Sequence, residues 1–388
     1  MQVMKKLMTF FLMLAILSFG CSSENEIKNS GVQKVMIRLV DSNGQLIREN
    51  VSLTVSSIRT DFNSVAPFIE RTETSGSYTF SIYMTSRMVV SAVAPNYNPV
   101  RKELLLEPSS EENITIDIVM HPRSGLRLMG YNVQDGWKHS ELQIENFTNW
   151  VKKYDPDIIL FCELNNNVQD ETAIRTDEEL LALSKQWGHD YATILKDWGY
   201  PTGITSRYEI TDIEKVQLNT QPETGYRVHG FIQAKCEGLD LFAAHLSSQD
   251  KRTREIEAEE IARRASLVSY AVVSGDMNTD SRIDESFVPN GYFQSNHWYE
   301  RVNEYSVMDK FLDAGLKDAF WLASTTYKAS FPADRDYATL DQLGLRLDYM
   351  LLTPALAPRC DFFDILNVSY TRTGSDHFPT FMHLELND

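Results

Sequence analysis

Residues Tyr270–Asp280 read YAVVSGDMNTD. The run Ala271–Ser274 passes into Gly275, Asp276 and, two places on, Asn278. A short apolar run bounded by a turn signal is the pattern of a buried strand. Closing such a strand on a carboxylate and then an amide puts both groups at one edge of its sheet. Two other runs end in the same way. LRLMGYN (Leu126–Asn132) closes on Asn132, and DIILFCE (Asp157–Glu163) closes on Glu163. LFAAHL (Leu241–Leu246) carries His245 near its end. Ligands of α/β sheets bind in the crevice outside strand ends. Asn132, Glu163, His245 and Asp276 are therefore candidates for one polar pocket.

The segments around these strands set the fold class. Glu141–Lys153 predicts an amphipathic helix with Leu142, Phe147, Trp150 and Val151 on its core face. Gly230–Leu246 predicts a hairpin turning at Glu237–Gly238, and Lys251–Ser269 a charged helix. That helix holds five basic residues and, with Asp250, five acids, so it reads first as a solvated face and second as a phosphate contact. Strands and helices in this mixed order imply a layered α/β unit over residues 124–388. Ahead of the HPRSG linker (His121–Gly125), residues 32–122 differ. Short alternating strands such as KVMIRLV, NVSLTVSSI and NITIDIVM, separated by turn signals, predict an antiparallel β-sandwich. It holds no cluster of metal-ligating or catalytic residue types, so no chemistry is assigned to it.

Charge and cysteines narrow the function classes. The formal net charge is −17. Residues 1–123 balance, so all of the excess lies in residues 124–388, which opposes broad electrostatic capture of polyanions. Cys162, Cys236 and Cys360 have no CxxC spacing, which argues against a disulfide framework or a cysteine metal site. His121, His139, His189, His229 and His297 are scattered in linker or surface-like context, and His383 alternates within TFMHLEL at a packing or solvent position.

The first twenty residues carry Lys5 and Lys6 ahead of an apolar run, Leu7–Phe19, which is the form of a secretion signal. LSFGC (Leu17–Cys21) resembles the bacterial lipobox, although Leu17 stands four places before the cysteine where three is usual. The resemblance implies that residues 1–20 are a lipoprotein signal peptide and that Cys21 is lipidated. Residues 21–31 would form a tether, and the chain would be anchored to the outer membrane or cell surface of a bacterium. Glu24 resembles the surface-export signals of Bacteroidetes lipoproteins. The sandwich resembles carboxypeptidase-regulatory or transthyretin-like domains, which are usually spacers or binding accessories.

The ordered set GYNVQ, DIILFCEL, GITSRYEI, AAHLSS, SGDMNTD, LGLRLDYMLL and GSDHFP resembles the endonuclease/exonuclease/phosphatase superfamily over residues 126–387. The resemblance implies a four-layer α/β sandwich, with two mixed β-sheets face to face and helices outside. It implies hydrolysis of phosphoester bonds with magnesium, or manganese, in a small molecule, a lipid head group or a nucleic acid. Position by position, Glu163 becomes the main metal carboxylate, supported by Asn132, with Asp376 near the metal. Asp276 becomes the group that deprotonates water, and Asn278 holds a phosphoryl oxygen or that water. His245 and His377 face the phosphate, with Asp348 behind His377. Ser206–Arg207 and Asp318 belong to the scaffold.

In abasic-site repair members the residue two after the first asparagine is an aspartate; here it is Gln134, which counts against a repair role. Substrate choice is expected to lie in residues 165–180, 188–202 and 280–309; their Trp198 and Trp298, and the neighbouring Trp187, either stack on a base or sugar or pack. Phosphodiesterase or phosphatase, extracellular DNase, and a non-catalytic binding module on a dead enzyme fold remain the competing functions. The chemical residues Glu163, Asp276, Asn278, Asp348 and His377 all stand, which favours the enzymes. No protein partner is predicted.

Overall fold

The computed structural model describes residues 32–59, 68–83, 86–105, 113–165, 176–195, 200–218, 229–287, 304–325, 327–333 and 344–386. Residues 1–31, on which the expected signal peptide, lipidated Cys21 and tether fall, lie outside them, as do Trp198, Trp298 and His297. Among the described residues no helix is long and apolar enough to cross a membrane.

The first strands are β1 (Val32–Val40), β2 (Val51–Arg59), β3 (Phe68–Thr74), β4 (Ser77–Tyr83), β5 (Ser86–Ala94), β6 (Tyr97–Leu105) and β7 (Asn113–Val119). They form a three-stranded sheet, β4-β1-β7, and a four-stranded sheet, β3-β2-β5-β6. Alternate residues Val35, Ile37 and Leu39 meet Val51, Leu53, Val55, Val90 and Ala92 in one apolar core. This is the period-two burial that two packed sheets require. The β1–β7 pair is parallel, whereas the sequence suggested an all-antiparallel sandwich.

The second part contains β8 (Leu126–Asn132), β9 (Ile158–Cys162), β10 (Tyr191–Leu195), β11 (Thr202–Ser206), β12 (Thr211–Val216), β13 (Phe231–Cys236), β14 (Leu239–His245), β15 (Ala271–Asp276), β16 (Lys317–Asp318), β17 (Asp348–Leu352), β18 (Cys360–Ile365) and β19 (Thr380–Leu384). Two six-stranded mixed sheets result, ordered β10-β11-β9-β8-β19-β18 and β12-β13-β14-β15-β17-β16. Leu128 and Leu160 of one sheet pack against Leu241, Val272 and Met350 of the other. Their neighbours Met129 and Phe161 point the opposite way, onto Phe147, Trp150 and Val151 of helix α1 (Glu141–Tyr154). Phe242, Val273 and Leu351 point onto Ala258 and Ile261 of a second helix, Lys251–Ala265. Helix, sheet, sheet and helix make the expected four layers. Burial on both faces explains why these strands are continuously apolar.

Local chemistry fixes the ends of these elements. Ser140 caps α1 by accepting from the Gln143 amide, and Asp155 ends it in a left-handed conformation. The burial of Ile144, Phe147, Trp150, Val151 and Tyr154 sets the helix's orientation. Leu142, expected on the core face, is 63% exposed, because it falls on the opposite side of the turn. Truncating Phe147 would cost about 3–5 kcal/mol. The hairpin turns where expected: Glu237 and Gly238 both take positive φ, the requirement of a two-residue hairpin loop.

Candidate active site

The strand registers assemble the site. Asn132 stands opposite Cys162 in the parallel β8–β9 pair, so Asn132 and Glu163 leave one sheet side by side. In the facing sheet His245 is level with Asp276, and Asp276 with Asp348, across β14, β15 and β17. Gly275 makes this closeness possible. A Cβ there would lie 1.7 Å from Ala244 O.

Asp276 is 2% exposed and sits at the centre of the group. One carboxylate oxygen accepts from Asn132 Nδ2 at 3.2 Å, and the other accepts the Asn278 amide at 2.9 Å. The Nε2 atoms of His245 and of His377 each lie 3.6 Å from Oδ2 of Asp276. Asn278, held at φ +48°, donates Nδ2 to Leu246 O at 3.0 Å and lies 3.1 Å from His245 Nε2. His377 donates Nδ1–H to Asp348 Oδ2 at 2.7 Å. Burial works to strip the His377 proton, but the Asp348 and Asp276 carboxylates outweigh it and raise its pKa well above the ordinary imidazole value. Burial also pushes Asp348 up. Among the described residues, Asp276, Asp348 and His377 are the three His, Cys, Asp or Glu side chains whose ligand atoms fall within 4.8 Å of one another.

Glu163 begins a second part of the site. The chain after Val133 makes a left-handed turn: Gln134, Asp135, Gly136, Trp137, Lys138 and His139 all have φ between 45° and 61°. Each non-glycine residue in that region costs about 1–2 kcal/mol. The turn aims its amides at Glu163. Asp135 N donates to Glu163 Oε2 at 3.0 Å and Gly136 N to Glu163 O at 2.6 Å. Only glycine fits at 136, where a Cβ would meet Asn165 O at 1.6 Å. Asn132 Nδ2 donates to Glu163 Oε1 at 3.0 Å, while its own Oδ1 accepts from Gln134 N. As placed, Asn132 bridges the Glu163 and Asp276 carboxylates by donating to both. Burial, reinforced by the charge of Asp376, pushes Glu163 up to about 7 despite these donors. Burial and Asp376 raise Asp135 as well.

This second part suits a hard divalent cation. Gln134 Oε1 and Asp135 Oδ1 are buried acceptors with no hydrogen-bond partner among the described residues. The backbone amide of Asp135, on the same turn, bonds the Glu163 carboxylate, whose burial disfavours its charge. Oxygen donors with unsatisfied negative charge are what magnesium and manganese take. The Asp276, Asp348 and His377 group is the poorer fit, because the His377 ring nitrogen nearest Asp348 is already engaged by a carboxylate.

All eight residues expected at the site, Asn132, Glu163, His245, Asp276, Asn278, Asp348, Asp376 and His377, lie at this edge of the sheets. Four more belong with them. Asp135 accompanies Glu163. Tyr200 lies edge-on to His245, with ring centroids 5.8 Å apart. Ser330 accepts the Asp348 amide at 3.0 Å, and the Phe331 ring lies 4.8 Å from that of His377.

His189, His229 and the charged helix depart from expectation, while His383 and Trp187 take the packing position that was one of their two alternatives. His189 is fully buried between Thr205 and Pro156 O, and burial lowers its pKa to about 4. His229 is not a surface residue either, since it is held to His245 O at 2.9 Å. His383 is buried, between Asp361 and Ser124 O. Trp187 packs on Phe147 at 5.2 Å, which settles it as core. The charged helix is not wholly solvated. Glu257 is buried and accepts the amides of His229 at 2.5 Å and Ser247 at 2.8 Å, pinning the chain on both sides of His245.

The sequence pattern of the Endonuclease/Exonuclease/phosphatase family matches residues 129–377. Among solved structures, an AP endonuclease from Archaeoglobus fulgidus superposes with TM-score 0.50 at 21% identity, covering 67% of this chain and all of that one. The 3' phosphatase NExo from Neisseria, bound to product DNA hairpin, gives TM-score 0.50 at 17% identity, with 67% and 99% covered. The 3'-5' exonuclease NExo from Neisseria meningitidis gives 0.50 at 19%, with 67% and 100% covered. At these identities the likeness concerns the fold. No curated protein matches the chain in sequence. The family pattern spans β8 to the SDH segment and so contains every residue of the site: the chain belongs to the endonuclease/exonuclease/phosphatase family.

Proposed function

We propose that this chain is a divalent-cation-dependent hydrolase of phosphoester bonds, held at a bacterial surface by a lipid on Cys21. The observation that carries the reading is the buried Asp276 carboxylate, with an imidazole Nε2 3.6 Å away on either side. Phosphoester hydrolysis needs a base for water and donors for the phosphoryl oxygens, fixed in place beforehand. Asp276 accepts the proton of the attacking water. Asn278, itself tied to Leu246 O, orients that water or a phosphoryl oxygen. His377 stays protonated through Asp348 and donates to the phosphoryl group, with His245 as the donor opposite. Glu163, with Asp135, Gln134 and Asp376 around it, would hold magnesium or manganese, and a bound cation would neutralise charge on a phosphoryl oxygen.

The substrate we favour is a small phosphoester, soluble or on a lipid head group, cleaved as a general phosphodiesterase or phosphatase. The excess acidity of residues 124–388 repels a duplex. A second reading, extracellular DNase, is supported by the solved structures above, one of them bound to product DNA hairpin. The non-catalytic alternative has the least support, since no chemical residue is missing. A panel of phosphodiesters, phosphomonoesters and duplex DNA at rising salt separates the three. Each neutralised phosphate adds a slope of about −0.9 in log K against log salt. Salt-sensitive cleavage of duplex with negligible action on small esters would give the nuclease precedence. No hydrolysis of any of them would leave the binding module.

A further inference from the structure

The β-sandwich is bonded to the rest of the chain along two lines. Behind β8, the fully buried Arg127 donates to Ala94 O at 2.8 Å, to Tyr97 O, and to Tyr154 O at 3.0 Å. Val93 of β5 shares an apolar cluster with Met129 and Phe147. The second line runs from β6. Arg101 donates to Ala323 O at 2.7 Å and to Ser324 Oγ at 3.1 Å. Glu103 accepts the Thr325 amide at 3.3 Å and the Thr325 hydroxyl. Arg101 and Glu103 are themselves paired at 2.7 Å. Burial opposes the charge on Glu103, yet Thr325 and Arg101 hold its pKa below the ordinary value.

Two residues past this clamp begins a strap, residues 327–333, that touches both members of the Asp348–His377 pair. Ser330 Oγ accepts the amides of Leu347 at 2.9 Å and Asp348 at 3.0 Å. Ser330 O accepts the Phe378 amide at 2.7 Å, and Phe331 lies against the His377 ring. Lys328 fastens the strap to β18 through Asp364 at 2.7 Å.

We propose that the sandwich is a working part of the catalytic unit rather than a detachable spacer, and that Arg101 and Glu103 are positioning residues for Asp348 and His377, acting through residues 323–325 and the strap 327–333. The kinetic arm of the test rests on the phosphoesterase reading; the structural arm does not. Both side chains project from an edge strand whose pairing with β5 is made by backbone, so replacing them leaves the sandwich ladder intact. What is lost is the hold on Ala323 and Thr325.

The test uses the full-length chain with Arg101→Ala and Glu103→Ala, and Arg38→Ala as the control. Arg38 pairs with Asp117 at the solvent-exposed surface of the sandwich. Hydrogen exchange is followed in residues 327–333, where the Ser330 and Phe331 amides bond to Leu345 O. Turnover is followed on bis(p-nitrophenyl) phosphate with manganese. Misplacement by about 1 Å far from the chemistry costs on the order of 10²-fold, so partial loosening predicts about a tenfold loss of kcat with KM within about twofold. Exchange in 327–333 should accelerate in both clamp variants, Arg101→Lys should recover most of the loss, and Arg38→Ala should change neither readout. Unchanged exchange in the strap, or acceleration spread evenly over residues 124–386, would overturn the proposal. Absence of wild-type turnover would remove the phosphoesterase reading, while the exchange result would still decide the clamp.

Discussion

His377 donates one ring nitrogen to Asp348 at 2.7 Å and points the other at Asp276, 3.6 Å away. An imidazole between two buried carboxylates keeps its proton to higher pH than a free one. If His377 acts as a donor, activity persists through neutral pH and falls on the alkaline side as that proton leaves. Asp348→Asn removes the strongest influence raising the His377 pKa. The alkaline limb of kcat/KM should therefore move to lower pH, with kcat reduced by about 10²–10⁴-fold. An unmoved limb would remove Asp348 from this role.

Cation binding should depend on pH through Glu163. Its folded carboxyl holds a proton up to about 7, against an ordinary value of 4.5. The cation-free protein therefore loses stability as pH rises through that window, since the folded state binds the extra proton. A cation replaces the proton above it. The rise in thermal midpoint produced by magnesium or manganese should be larger at pH 8 than at pH 6, and should shrink in Glu163→Gln. Equal shifts at both pH values would contradict the assignment.

Arg346 is a structural counterpart to these groups. Its buried guanidinium bonds Asp284 at 2.9 Å and Asp318 at 2.6 Å, beneath the ring of Tyr349. Arg346→Met would leave two buried carboxylates uncompensated and should cost about 3–5 kcal/mol in urea unfolding. The loss should appear in stability before it appears in KM. A loss under about 1 kcal/mol would mean that the cluster relaxes into water.

Lipidation is tested separately. Cys21→Ala should release the chain from membranes or block its processing. Membrane fractionation and cleavage as in the wild type would remove the anchor from the account.

The strand ends were legible because a buried strand has a short apolar signature and its last residue is fixed by the turn that follows. Asn132, Glu163 and Asp276 could be found that way. Asp135 could not, because its position depends on a left-handed turn that Gly136 alone hints at. Ser330 and Phe331 reach Asp348 and His377 through tertiary pairing with Leu345 and Phe378, which no local pattern encodes. His189 and Glu257 were misjudged for the same reason. Burial of a polar residue depends on distant partners, and a sequence shows only the residue.

The most direct test of the central claim is the turnover of Asp276→Asn on a small phosphodiester, with magnesium or manganese present. Asparagine keeps the size of the side chain and one of its two acceptor contacts, to Asn132 Nδ2 or to the Asn278 amide, while removing the carboxylate that accepts water's proton. The account predicts a kcat lower by about 10²–10⁴-fold, with the fold retained. Turnover equal to the wild type would contradict it.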